Sequence, residues 1–120
     1  MERAALTDSA EIIEQKAILR GHMHEIRAES AARDPDAATK LAARFPSKLF
    51  DRYGPIVAGT LAIGDELDPA PLLARLSGLG ARIVLPRVEG NGEMTFRDSS
   101  EATLEKGPFG LTQPSEAAEI

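Results

Sequence analysis

Between residues 56 and 88 the hydrophobic pattern changes its period twice. Ile56-Val57-Ala58-Gly59-Thr60-Leu61-Ala62 is a short apolar run bounded by Pro55 and Gly64, too brief for a helix, and it predicts a strand. Asp68 and Pro69 then make a helix-start signal, a capping acid followed by a first-turn proline. Leu72, Leu73, Leu76 and Leu79 recur at helical spacing, so a helix over Pro69–Leu79 has one apolar face, and Gly80 supplies its left-handed stop. Ile83-Val84-Leu85 is an uninterrupted apolar run, as in a strand covered on both faces, which sets a second strand at Arg82–Leu85 with Pro86 ending it. Strand, crossover helix and strand make a right-handed parallel unit. Ligands bind such sheets outside the carboxyl ends of the strands. That rim carries Ile63 to Asp68 and Pro86-Arg87-Val88, so Glu66 and Arg87 are expected to be neighbours.

The pattern upstream is helical. Thr7-Asp8-Ser9 opens a first helix, with Asp8 and Glu11 spaced for a capping box, and Ile12, Leu19, Met23 and Ile26 define its core face. At about 100° per residue, Lys16, Arg20 and Arg27 fall within roughly 40° of one another beside that stripe. Such a triplet is either a phosphate or carboxylate site whose stems lie on the core, or a solvated flank paired with nearby acids. Asp34-Pro35 starts a second helix with Ala38, Leu41, Ala42 and Phe45 inward, and Ser47 to Tyr53 adds a short third. Phe45, Leu49 and Phe50 read as packing residues.

Downstream, Glu89-Gly90-Asn91-Gly92 is a turn and Met94 to Arg97 a returning strand or extended edge. Ser99-Ser100 can cap a brief helical turn, with Leu104 packed inward. Gly107-Pro108-Phe109-Gly110 is a loop with a bulky anchor, and the tail from Pro114 continues no element.

Composition narrows the chemistry. The 120 residues predict a single domain, 1–120. Cysteine is absent, which removes disulfides, thiol catalysis and cysteine-held metals. His22 and His24, the only histidines, are two positions apart on a helix and point to nearly opposite sides, so they cannot share a metal. A net charge of −5 argues against nucleic acid bound through a basic surface. No apolar run approaches a membrane span and the N-terminus lacks a signal-peptide core, so a cytoplasmic location is expected.

Gly64-Asp65-Glu66-Leu67-Asp68, Gly80 and Leu85-Pro86-Arg87-Val88 resemble the 5-formyltetrahydrofolate cyclo-ligase family, also called 5,10-methenyltetrahydrofolate synthetases. So do Lys16-Ala17-Ile18-Leu19-Arg20 and the segment Gly107 to Pro114. No piece is specific alone, but their order and spacing are more so. The resemblance implies an α/β fold, a three-layer Rossmann-like partial parallel sheet with flanking helices. It implies ATP-dependent conversion of 5-formyltetrahydrofolate to 5,10-methenyltetrahydrofolate, with ATP and Mg2+ as cofactors. Leu61 and Glu66 match substrate-binding positions, while Lys16 and Arg20 match the nucleotide-binding pair. Read without the resemblance, Glu66 is an exposed loop acid favoured by the helix dipole. No catalytic residue or metal ligand is carried over.

The family's second half, with its glycine-rich phosphate loop and magnesium acids, has no counterpart here, so the chain is expected to be the N-terminal portion of such a domain. Two other readings stay open: a non-catalytic nucleotide- or anion-binding half-domain, and an interaction fragment that self-associates through an open sheet edge.

Overall fold

The computed structural model describes residues 7–116. Their contacts divide the chain into two units, Met1–Asp34 and Pro35–Ile120.

The first unit is helix α1, Ala10–Arg33. Ser9 caps it, its hydroxyl accepting the Ile12 N–H at 3.3 Å. Asp8, expected to share a capping box with Glu11, forms an ion pair with Lys16 instead. The expected core face is not buried: Ile12, Leu19, Met23 and Ile26 are all exposed, and α1 has no buried residue. Lys16 interrupts that row, and Ile13 and Ile18 lie off it, so no single face collects the apolar side chains.

The second unit begins with α2, Ala37–Arg44, and α3, Ser47–Tyr53. Strand β1, Ile56–Ala58, leads through a loop to α4, Ala70–Gly78, and on to β2, Arg82–Val88. Asp68 accepts the Ala70 N–H at 2.9 Å, so it caps α4 from just outside the first turn. Gly80 takes a φ of +102° after the helix, a value most side chains avoid. β1 and β2 are parallel, with Ile56 opposite Arg82 and Ala58 opposite Val84. β3, Met94–Asp98, returns antiparallel to β2 through the Glu89–Gly92 turn. The result is a mixed sheet in the order β1-β2-β3. β4, Leu104–Lys106, and β5, Thr112–Pro114, form a separate antiparallel pair.

Two strand ends depart from expectation for one reason. Arg82 N–H donates to the Pro55 carbonyl and Gly59 N–H to the Val84 carbonyl, both at 2.8 Å. In this register the next bond would need an N–H at residue 86, and Pro86 has none. β1 therefore ends at Ala58 rather than Ala62. β2 runs through Pro86 to Val88, because the missing donor is on the β1 side and pairing with β3 uses the other edge.

The core centres on Leu76, Ala81 and Ile83, with Phe45, Phe50, Val57, Leu72 and Leu73 around them. Ile83, Val84 and Leu85 are all buried, as their unbroken apolar run requires. Leu49, in contrast, is exposed. Arg75 of α4 donates to the carbonyls of Ala42 and Phe45, satisfying the end of α2. Leu104 is also exposed: β4 pairs only with β5, and all three of its residues face outward. A single turn follows Ser99, with the Glu101 and Ala102 N–H groups donating to the Asp98 carbonyl at 3.3 and 3.1 Å, but Asp98 rather than a serine caps it, accepting both the Ser100 N–H and its hydroxyl.

Candidate functional site

A cavity of about 430 Å³ opens where β1 leaves the sheet. Its walls come from the loop Thr60–Gly64, from Leu85, Pro86 and Val88 of β2, and from the segment between Pro108 and Pro114. This is the rim that the strand–helix–strand pattern marks as the ligand side. The lining is mainly aliphatic, and the volume falls in the range of small-molecule sites.

Leu61 is half-buried and lines this cavity. Glu66 is exposed and stands outside the lining, on the loop that forms one wall. Its carboxylate accepts the Ile63 N–H at 3.1 Å and its own N–H donates to the Ile63 carbonyl at 3.2 Å. Gly64, between them, takes a φ of +60°. Glu66 thus sets the conformation of a cavity wall.

Arg87, expected as a neighbour of Glu66, is engaged with the end of β2 and the β4–β5 pair. Its guanidinium, 11% exposed, pairs with Glu89, Glu105 and Glu116 and donates to the Pro114 carbonyl at 2.9 Å. The Glu105 bond chiefly raises its pKa further, with Glu89 adding to the effect. Arg87 therefore fastens β2 to the β4–β5 pair and fixes one side of the cavity. Sequence reasoning missed this, because those acids lie two to twenty-nine positions away.

Two further site features were also missed. Gln113 is 7% exposed, and its amide bridges the Val88 backbone, Oε1 accepting the N–H at 3.1 Å and Nε2 donating to the carbonyl at 3.3 Å. It acts as a one-residue strand on the edge that β1 vacates. Phe109, expected as an anchor, is 92% exposed and holds a φ of +62° between two cavity-lining residues, Pro108 and Gly110. A bulky residue in that backbone region is unusual and leaves a free ring at the cavity mouth. The two glycines around Pro108-Phe109 were the only sequence signal.

Lys16 and Arg20 stand one turn apart on α1, in the first unit, while Leu61 and Glu66 share a loop of the second. Lys16 is paired with Asp8 at 2.5 Å, and Arg20 is exposed. Arg27 contacts the Nδ1 of His24 at 3.1 Å. Among the described residues no three acids, cysteines or histidines gather as a group that could hold a metal ion. Among the same residues no helix is long and apolar enough to cross a membrane. Set against known proteins, the chain matches no protein-family model and no curated sequence.

Proposed function

We propose that this chain forms the folate-binding portion of a protein of the 5-formyltetrahydrofolate cyclo-ligase kind, which converts 5-formyltetrahydrofolate to 5,10-methenyltetrahydrofolate at the expense of ATP. The observation that carries this reading is the aliphatic cavity at the end of β1, with Leu61 in its wall and the Glu66 loop beside it. A flat ring system matches such walls, and a few polar groups at the rim would orient it. In this reading Leu61 packs on the substrate, Glu66 orients the pterin, and Lys16 and Arg20 bind nucleotide phosphates. The finer fold reading belongs with it: β1, α4 and β2 as the parallel unit of a three-layer Rossmann-like sheet. A cytoplasmic location suits a reaction that consumes ATP.

Calorimetric titration of 5-formyltetrahydrofolate into the chain and into Leu61→Asp tests this directly. Saturable binding is expected for the parent, and a loss of about tenfold or more for the variant, because a carboxylate in an aliphatic wall is desolvated without a partner. No binding by the parent, or equal binding by both, overturns the reading.

The nucleotide half has its own test. Arg20 is a cleaner probe than Lys16, which Asp8 already engages. A charge-assisted phosphate contact is worth roughly 1.5–3 kcal/mol, so Arg20→Ala should weaken ATP binding by about tenfold to a hundredfold with little change in stability. Glu66→Ala should weaken folate binding and leave ATP binding nearly unchanged. If Arg20→Ala binds ATP as the parent does, the cations of α1 are a solvated flank.

The chain alone is expected to show little or no turnover, since the motifs it shares with the family include neither the phosphate loop nor the magnesium acids, and phosphoryl transfer gains most of its rate from such charges. ATP-dependent formation of methenyltetrahydrofolate is the readout, and robust turnover would refute this expectation.

A further inference from the structure

Helix α3 presents three kinds of side chain in three directions. At about 100° per residue, Lys48 and Arg52 share one flank, Leu49 and Tyr53 the next, and Phe50 the side that joins the core. Asp51, the only acid of this helix, lies about 160° around the axis from Leu49 and Tyr53. Leu49 and Tyr53 are exposed although they adjoin the core, and so is Ile56 at the start of β1. Between α3 and β1 runs a groove of about 240 Å³, lined by these three residues and by Phe45, Phe50 and Leu76. It shares no residue with the cavity at the other end of β1.

The charges of α2 and α3 are unlike the others of the second unit. Residues 37–53 hold four cations, Lys40, Arg44, Lys48 and Arg52, against one acid, in a chain whose net charge is −5. Elsewhere in the unit the arginines are engaged: Arg75 by backbone carbonyls, Arg82 by Asp98, and Arg87 and Arg97 by Glu89. Among the described residues no acid comes within ion-pair distance of Arg44, Lys48 or Arg52. Arg52 instead lies over the Tyr53 ring, 5.3 Å from its centroid, which holds a guanidinium at the edge of the groove. An exposed apolar slot bordered by unneutralised cations is the signature of a docking surface.

We propose that this groove docks a short acidic segment of a partner protein, with a large apolar side chain in the slot and flanking carboxylates on Lys48 and Arg52. Charge and shape together choose this occupant. The groove is a slot between a helix and a strand, which suits an anchoring side chain better than a flat surface. The cations call for an anion, and the rest of the chain decides its size. A long polyanion, such as a nucleic acid strand or an anionic bilayer, would lie against the acidic remainder of the protein and be repelled. A short segment meets only the cationic flank of α3. This site is independent of the folate reading, which concerns the other end of β1.

The probe is a fluorescein-labelled peptide, Glu-Asp-Glu-Leu-Phe-Glu-Asp-Glu, titrated into the full chain and followed by anisotropy. One control peptide has every acid replaced by lysine, and the other has Leu-Phe replaced by Ala-Ala. The probe should bind saturably, and each control about tenfold or more weakly. The double variant Lys48→Glu/Arg52→Glu should weaken the probe by about tenfold or more and gain affinity for the lysine peptide. Leu49→Asp should weaken the probe to a similar degree. All three side chains are exposed, so the urea midpoints of these variants should stay close to that of the parent. In 15N-labelled protein the amide signals of Leu49, Tyr53 and Ile56 should move on titration, while that of Leu61 should not.

No saturable binding of the probe, equal binding of the three peptides, or unchanged probe binding by the variants would overturn the proposal. Tighter binding of phosphatidylserine vesicles or of a polyuridine strand through the same residues would overturn it as well, since the cations would then serve a polyanion. These outcomes differ from failure of the folate reading. Lys48→Glu/Arg52→Glu should bind 5-formyltetrahydrofolate as the parent does, and a parent that binds the peptide but no folate leaves the groove standing while the folate reading falls.

Discussion

Truncating Leu76 to alanine is expected to destabilise the second unit by about 2–5 kcal/mol. Leu76 is 3% exposed and belongs to the cluster of Ala81, Ile83, Val57, Phe45 and Phe50, so its removal leaves a cavity where three helices and two strands meet. The surroundings can collapse only in part, because Ile83 is fixed by the sheet and Phe45 lies at the end of α2, whose carbonyls Arg75 holds. For a unit of this size each kcal/mol moves the thermal midpoint by about 4–8 °C, so a fall of roughly 8–40 °C is expected. Leu79→Ala, at the C-terminal cap of the same helix and 50% exposed, is the control and should stay within about 1 kcal/mol. Urea unfolding decides it: the Leu76→Ala midpoint should fall with an unchanged slope. If both variants unfold like the parent, the core has been placed wrongly.

That core was legible because its signals are local. Leu72, Leu73 and Leu76 state a helical face within one segment, and Ile83-Val84-Leu85 states a strand buried on both sides. The parallel pairing of β1 with β2 followed from the short helix between them. The Asn-Gly turn placed β3 for the same reason: two residues fix its geometry. What failed was each inference about who covers whom. The α1 stripe reads as a buried face, yet Leu19 and Met23 are exposed. Leu104 reads as an inward residue, yet its strand pairs only with another short ribbon. Periodicity gives the direction of a side chain within its element, not what stands opposite.

Pro86 shows a different limit. Sequence rules treat a proline as the end of a strand, and here it ends the neighbouring strand instead. Which edge lacks its donor depends on register, and register is not local. The candidate site divides along the same line. Leu61, singled out by the resemblance and read as the end of a strand, lies in the loop after β1, which stops at Ala58, and lines the cavity. Gln113 and Arg87 could not be placed, because their partners Val88, Glu105 and Pro114 become neighbours only when β5 docks on β2.

The β2–β3 hairpin itself holds the basis of the second large effect, a loss of structure in acid. Two carboxylates tie the β2–β3 hairpin together. Glu89 accepts from Arg97 at 2.8 Å, from the Thr95 hydroxyl at 2.7 Å and from Arg87 at 3.2 Å, and these bonds, Arg97 foremost, lower its pKa from 4.5 to about 2. Asp98 accepts from the Ser100 hydroxyl at 2.6 Å and from the Ser100 N–H at 2.9 Å, and it pairs with Arg82. The Ser100 hydroxyl is the leading cause that brings Asp98 from 3.8 to about 2, with Arg82 next. Both folded pKa values lie below the unfolded ones, so the unfolded chain binds more protons in between. The stability these groups add is complete above about pH 4.5 and is lost as the pH falls toward 2. The urea midpoint of the second unit should therefore drop steeply across that window. Glu89→Gln should be less stable than the parent at neutral pH and flatter below it. Ser100→Ala should raise the Asp98 midpoint toward 3.8, which carbon-detected NMR of the Asp98 carboxyl reads directly. If Asp98 titrates near 3.8 in the parent, or if Glu89→Gln leaves the acid dependence unchanged, the charged hairpin is not what acid breaks.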